Sequence, residues 1–205
     1  MAVRLFSETS EHITETDLAA METENNRLRT EIAELRLQLL DLERAADTDP
    51  LIPVYNRRAF MREVTKAQSV MDRYDIASSM IFFDLNGFKK INDQYGHLIG
   101  DELLTNIGLA LSNAVRDCDV VARLGGDEFG VLLFKMEKDL AKIKASALAC
   151  RIAEQSIDMG NETISVSAAW GIAACTIEKT ADQILATADR AMYKAKTWAA
   201  TDDGA

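Results

Sequence analysis

The chain is poor in the residues that mark several common functions. Of its 205 residues two are proline, three cysteine and two histidine, and only 6% are aromatic. Cys118, Cys150 and Cys175 are odd in number and far apart, with no Cys-x-x-Cys pair and no neighbouring histidine. This excludes a disulfide framework and a zinc site and predicts reduced core thiols. No apolar run approaches the ~18 residues of a membrane span, and the N-terminus has neither the basic nor the apolar region of a signal peptide. A cytoplasmic location is the expectation. Basic stripes of the kind that track polymeric DNA or RNA are also missing.

The net charge of −10 is unevenly held. Through Asp49 there are five Arg, no Lys and twelve Asp plus Glu, a net −7, so the remainder carries only −3. A nearly balanced domain can bind a polyanionic nucleotide where Mg²⁺ and a few Lys or Arg are placed locally. The length and the 48% hydrophobic content fit one domain with a sizeable core plus an extension.

Both prolines fall in Asp49-Pro50-Leu51-Ile52-Pro53-Val54. Each disfavours helix at the residue before it, so this segment is a boundary. Upstream, residues 1–13 are a polar, acidic leader that is expected to fray. From Leu18 a heptad follows, with Leu18, Asn25, Ile32, Leu39 and Ala46 at one core position and Met21, Leu28, Leu35 and Leu42 at the other. The strict four-three spacing predicts a coiled coil, and Asn25 at a core position favours a parallel dimer in one register. Glu24 and Glu31 are spaced to meet Arg29 and Arg36 of a second copy.

Downstream, Asn56 predicts the cap of a helix from Arg57 to about Arg73, with Phe60, Val64 and Met71 facing inward. A buried strand follows over Ala77–Leu85, then a short helix over Phe88–Tyr95 and a longer amphipathic one over Gly100–Val115. Val120–Leu124 and Phe129–Phe134 read as a hairpin whose tip is Gly125-Gly126-Asp127-Glu128. The glycines are expected in a tight reversal, where glycine tolerates φ > 0 and lets a ligand approach the backbone. A helix is predicted from about Lys138 to Asp158, a strand from about Thr163 to Cys175 and a helix from about Ala181 to Lys196.

From Ala77 the order is that of an α+β fold with a ferredoxin-like β-α-β-β-α-β antiparallel sheet. In it the first and third strands are antiparallel neighbours, so Asp84 at the end of one lies beside Asp127 and Glu128 at the start of the other. Carboxylates without His or Cys partners suit a hard cation, and Mg²⁺ is the natural reading. Two such ions can hold the attacking and leaving oxygens of an in-line phosphoryl transfer. The loop Leu85-Asn86-Gly87-Phe88-Lys89 opens a helix, whose free N–H groups can receive phosphates. Glycosidase chemistry, the competing use of paired acids, is disfavoured by the fold and by the scarcity of aromatic residues.

Arg123-Leu124-Gly125-Gly126-Asp127-Glu128-Phe129, Phe83-Asp84-Leu85-Asn86-Gly87-Phe88-Lys89-Lys90-Ile91-Asn92-Asp93, Tyr95-Gly96-His97 and Gly100-Asp101 stand in one order and spacing. Together they resemble the GGDEF family of diguanylate cyclases. Asn56-Arg57-Arg58-Ala59-Phe60 and Ala188-Asp189-Arg190-Ala191-Met192-Tyr193-Lys194-Ala195-Lys196 resemble its opening and closing motifs. The resemblance spans about residues 47–198. It implies the palm fold of nucleotide cyclases and polymerases, and a homodimer that condenses two GTP into cyclic di-GMP with release of two pyrophosphates. It further implies that Asp84, the Leu85 carbonyl and Asp127 hold Mg²⁺ or Mn²⁺ with Glu128 close by, and that Asp127 or Glu128 accepts the proton of the attacking 3′-hydroxyl.

By the same resemblance Asn92 and Asp101 read guanine, His97 contacts the nucleotide, and Phe88, Lys89 and Lys196 contact phosphate. Arg116 and Asp119, with five residues between Asp119 and Gly125, resemble an inhibitory site for the product. The chain also departs from the family's pattern. Leu51-Ile52-Pro53-Val54 replaces Leu-Thr-Gly-Leu, Asn86 replaces a frequent Asp, and Ala199-Ala200-Thr201 stands where Gly-Arg-Asn would supply a phosphate-binding arginine. The expected organisation is leader and coiled coil over 1–46, catalytic domain over 47–198 and a flexible tail over 199–205. A regulatory protein acting on the N-terminal helix is the expected input. The alternative to an active, product-inhibited cyclase is a weakly catalytic receptor for cyclic di-GMP or a coiled-coil adaptor.

Overall fold

The computed structural model describes residues 15–202, which divide into two units between Ala46 and Asp47. The elements are α1 (Glu15–Asp47), β1 (Tyr55–Asn56), α2 (Arg57–Tyr74), β2 (Ser78–Leu85), α3 (Phe88–Tyr95), α4 (His97–Asn113), β3 (Val120–Arg123), β4 (Glu128–Phe134), α5 (Lys138–Ala153), β5 (Ser156–Asp158), β6 (Thr163–Ser165), β7 (Ala168–Ala174) and α6 (Ala181–Asp202).

The first unit is helix. Leu18, Met21, Leu28, Ile32, Leu35 and Leu39 of the heptad are 43–64% exposed, so they form an open apolar stripe. Glu24 is held by Arg27 of the same helix at 2.8 Å, and Arg27 also reaches Glu31 at 3.3 Å. The predicted leader and the side chain of Leu42 lie outside the described residues.

In the second unit Asn56 caps α2 as its sequence predicts, accepting from the Ala59 N–H at 3.0 Å. Phe60, Val64 and Ala67 form the buried face, while Met71 is only partly buried. The main sheet has the order β1-β3-β4-β2-β7, and β2 is antiparallel to both neighbours. Without the two-residue β1 this is the strand order of the predicted ferredoxin-like topology. Alternate residues of β2 serve opposite faces. Ile81 and Phe83 join Leu103, Ile107, Leu111, Leu148 and Ile152 under α4 and α5. Met80 and Phe82 join Phe60, Val64, Ile184, Ala188 and Met192 under α2 and α6. Strand β2 is thus buried on both sides, which is why its middle, Met80-Ile81-Phe82-Phe83, is apolar without alternation.

Two glycines let helices approach this sheet closely. A Cβ at Gly171 of β7 would lie 2.1 Å from the Ala188 carbonyl oxygen and 2.2 Å from the Met192 nitrogen, both backbone atoms of α6. At Gly130 of β4 it would lie 2.8 Å from the Phe60 ring of α2.

Several predicted boundaries move. Helix α4 begins at His97, three residues before Gly100, because Gly96 (φ +85) already turns the chain out of α3. Helix α5 stops at Ala153, and the stretch read as its last turn is strand β5, paired with β6 in a separate two-stranded sheet. The strand predicted from Thr163 is therefore divided between β6 and β7. Helix α6 continues to Asp202. Of the thiols expected in the core, only Cys175 is buried, and burial pushes it up to about 12; Cys118 and Cys150 are exposed.

Candidate active site

The register of β2 on β4 sets Asp84 opposite Glu128. The Leu85 N–H donates to the Asp127 carbonyl at 3.1 Å, so the strand end and hairpin tip are tied by backbone. Helix α6, brought close by Gly171, delivers the Lys196 ammonium onto Asp84 Oδ1. Asp84 and Glu128 thus meet at this edge of the sheet beside Asp127, as the topology predicted, and Lys196 joins them from α6.

Glu128 binds its proton more tightly than an ordinary glutamate. Partial burial is the largest cause, followed by the negative charges of Asp127 and Asp84; Arg57 opposes the effect and Asp189 adds to it. A carboxyl whose folded proton affinity is raised contributes stability while protonated and loses it as the pH climbs through the folded value. Glu128→Gln is therefore expected to raise the thermal midpoint at pH 7 by about 1–3 °C, solvent screening at this half-exposed position keeping the gain small. Melting curves should show the gain disappear as the pH falls into the glutamate range.

The glycines of the tip work otherwise than their turn chemistry predicts. Neither Gly125 nor Gly126 has positive φ; among the described glycines that conformation belongs to Gly87, Gly96 and Gly160. Gly125 leaves room for the Glu128 carboxylate: a Cβ there would sit 2.5 Å from Oε2, the end of a flexible side chain that would turn aside. The tip is braced by Arg123, which donates to the Gly125 carbonyl at 3.1 Å and to the Gly126 carbonyl at 2.8 Å, and pairs with Asp49 at 3.3 Å. Asp49 in turn accepts from the Leu51 and Ile52 N–H groups. The sequence reading gave no role to Arg123 or Asp49. The signal was available: two tip carbonyls need donors, and an arginine stands two residues before them.

Next to the acids, Gly87 (φ +72) starts α3 without a side-chain cap, which leaves the first N–H groups of the helix to a ligand. The Phe88 side chain is in the core, so this residue can offer only its backbone amide, whereas Lys89 is exposed. At the other end of α3, Gly100 packs so closely on Asn92 that a Cβ would lie 1.9 Å from Asn92 Oδ1. This puts Asn92 beside Asp101, with His97 exposed at the start of α4. Asn92 Oδ1 is buried without a hydrogen-bond partner among the described residues, an arrangement that structures seldom keep without a functional reason.

Arg116 and Asp119 lie at the opposite end of the hairpin. Asp119 is buried, accepting from the Phe134 N–H at 3.0 Å and the Arg116 N–H at 3.1 Å. The Arg116 side chain is 55% exposed.

A family profile described as "Diguanylate cyclase, GGDEF domain" matches residues 46–200. The chain belongs to the GGDEF family. An uncharacterized Bacillus subtilis protein, YhcK, is 39% identical over 157 residues, covering 74% of this chain and 43% of YhcK. Diguanylate cyclase TpbB of Pseudomonas aeruginosa is 33% identical over 187 residues, covering 88% of this chain and 43% of TpbB. The chain thus spans less than half of either relative. The coiled coil and GGDEF domain of DgcB from Caulobacter crescentus, solved in complex with c-di-GMP, superposes with a TM-score of 0.76 at 20% identity over 87% of this chain and 95% of that one. That likeness is one of fold. This GGDEF domain has no helix among the described residues long and apolar enough to cross a membrane.

Among the described residues no three His, Cys, Asp or Glu side chains form a preformed cage. Mg²⁺ does not require one, because it binds through one or two carboxylates and completes its shell with water and substrate phosphate. Asp84 already attracts a cation, the Lys196 ammonium, and the facing donors are all oxygen. These oxygens are donors of the kind that Mg²⁺ or Mn²⁺ takes.

Proposed function

We propose that the protein is a diguanylate cyclase that condenses two GTP into cyclic di-GMP and two pyrophosphates. The observation that carries this reading is the cross-strand pair Asp84 and Glu128, set between Lys196 and the uncapped start of α3. Asp84, the Leu85 carbonyl, Asp127 and Glu128 would hold Mg²⁺ or Mn²⁺, which when bound neutralises charge developing on the phosphates. The 3′-hydroxyl of one GTP forms a bond to the α-phosphorus of the other. The bond from that phosphorus to the β-phosphate bridge breaks, and pyrophosphate leaves. Asp127 or Glu128 accepts the proton of that 3′-hydroxyl. The α3 amides, Lys89 and Lys196 orient the triphosphate, while Asn92, Asp101 and His97 hold the base, the amide and carboxylate matching the edge of guanine better than that of adenine.

Each half-reaction joins nucleotides held by two domains, so the active form in this reading is a homodimer. The exposed heptad of α1 supports a parallel coiled coil as its means of assembly and as the place where a regulatory protein acts.

Product inhibition at Arg116 and Asp119 completes the proposal. Arg116→Ala should relieve inhibition by added cyclic di-GMP and leave the initial rate and melting temperature unchanged. Asp119→Ala should instead cost about 1–3 kcal/mol of stability, since it removes the acceptor of the part-buried Phe134 and Arg116 N–H groups. Unchanged inhibition in Arg116→Ala would assign the pair to hairpin structure alone.

Chromatography after incubation with GTP and Mg²⁺ tests the whole reading. Cyclic di-GMP is the expected product. Unconsumed GTP together with tight binding of added cyclic di-GMP would replace the enzyme by a receptor, a role that the missing terminal arginine would suit.

A further inference from the structure

Helix α3 carries much of the proposed nucleotide site, yet it is only eight residues long and has a glycine of positive φ at each end, Gly87 and Gly96. So short a helix does not hold its place unaided. Its apolar side is anchored by Phe88 and Ile91, which leaves the direction of its two ends to polar contacts.

Both ends are tied to one segment, residues 156–167. At the start, Asn86 donates its N–H to the Ser167 carbonyl at 2.8 Å and its Nδ2 to Ser167 Oγ at 2.9 Å. At the finish, the Tyr95 hydroxyl donates to Glu162 Oε2 at 3.0 Å and accepts from Gln94 Nε2 at 2.7 Å. The segment is itself firm. Ile157, Ile164 and Val166 are buried, β5 and β6 pair over three residues each, and Asp158 accepts from the Gly160 N–H at 2.7 Å inside the turn. The contact at Ser167 also gives Asn86 a use, its amide donating to Ser167 Oγ, where an aspartate would instead accept from that hydroxyl. Glu162 further holds the Tyr95 proton more firmly, so the hydroxyl remains a donor across the neutral range.

We propose that the β5–β6 hairpin and the turn after it form a clamp that sets both ends of α3, with Ser167 and Glu162 as positioning residues for the phosphate loop and the base-binding corner. Neither touches substrate in this account. They act through Asn86 and Tyr95, and the proposal rests on the reading of Asn92, Asp101 and the α3 amides as nucleotide contacts.

The test uses the full chain with Tyr95→Phe, Ser167→Ala and Glu162→Gln, and two readouts. The first is amide hydrogen exchange in ligand-free protein, which does not depend on the enzymatic reading. Tyr95→Phe should speed exchange at residues 92–101, and Ser167→Ala at residues 86–91, by about three- to tenfold for the loss of one or two hydrogen bonds. The second is steady-state kinetics. KM for GTP should rise about three- to tenfold with kcat nearly unchanged, because the competent arrangement is less populated while its chemistry is intact. Tyr95→Phe should also weaken discrimination of GTP from ATP, and Glu162→Gln, which keeps an acceptor, should stay near wild type. Glu162 and Ser167 are exposed, so these variants are expected to fold. Exchange in α3 and KM both unchanged in Tyr95→Phe and Ser167→Ala would overturn the clamp and leave the cyclase reading standing. A wild-type protein without GTP turnover would overturn the cyclase reading, and the exchange measurement would still decide the clamp.

Discussion

Asp84→Asn is expected to lower turnover of GTP by about a hundredfold to a thousandfold, the loss seen when one preorganised charge contact to a transition state is removed. The fold should survive. Asp84 ends β2 at the edge of the sheet with its carboxylate partly open to solvent, and its one cationic partner, Lys196, is itself largely exposed. Two changes in stability also oppose one another, since Lys196 loses a partner while Glu128 loses a repelling neighbour. A melting temperature within about 3 °C of wild type is therefore expected beside the lost activity. Turnover within a factor of about three would remove Asp84 from the reaction, because so small a change equals one weak hydrogen bond.

Gly171→Ala should act through packing. The added methyl would meet the backbone of α6 at 2.1 and 2.2 Å, and backbone cannot rotate away as a flexible side chain does. Helix α6 must shift outward or β7 must yield. Overpacking of this kind costs about 3 kcal/mol, which for a chain of this length lowers the melting temperature by about 6–12 °C. Since α6 carries Lys196 to Asp84, phosphate binding should weaken in the variant even at temperatures where it is folded. Melting curves with GTP titrations check both parts. A wild-type midpoint would mean that α6 is held less closely than its contact with β7 indicates.

The element order of the main sheet was legible because its signals are long and regular. β2 holds the apolar run Met80-Ile81-Phe82-Phe83, α2 is capped by Asn56, and a glycine-rich tip separates two apolar strands. From that order alone Asp84 had to face Glu128. What escaped was short or depended on context. Strands β5 and β6 have three residues each, too few for a period of two to stand out, and Glu154-Gln155-Ser156 reads as a further turn of α5. The clamp on α3 was invisible for that reason. Gly125 was assigned to a turn conformation when its lack of a side chain makes room for Glu128, a difference that depends on where a carboxylate three residues away comes to rest. The link from Asp49 to Arg123 joins residues 74 positions apart, a distance that local pattern cannot bridge. Asp119 also accepts from the Phe134 and Arg116 amides, a structural use that its spacing did not show, and Arg116 is the exposed member of that pair.

Phosphorus NMR of the full chain with GTP and Mg²⁺ tests the central claim most directly, since it follows the bond that breaks. The account predicts pyrophosphate and cyclic di-GMP in a ratio of two to one, with no orthophosphate, and no signal change when Asp84→Asn replaces the wild-type protein. Orthophosphate with GDP would mean hydrolysis at the terminal phosphate, and unchanged GTP would mean no catalysis; either would contradict it.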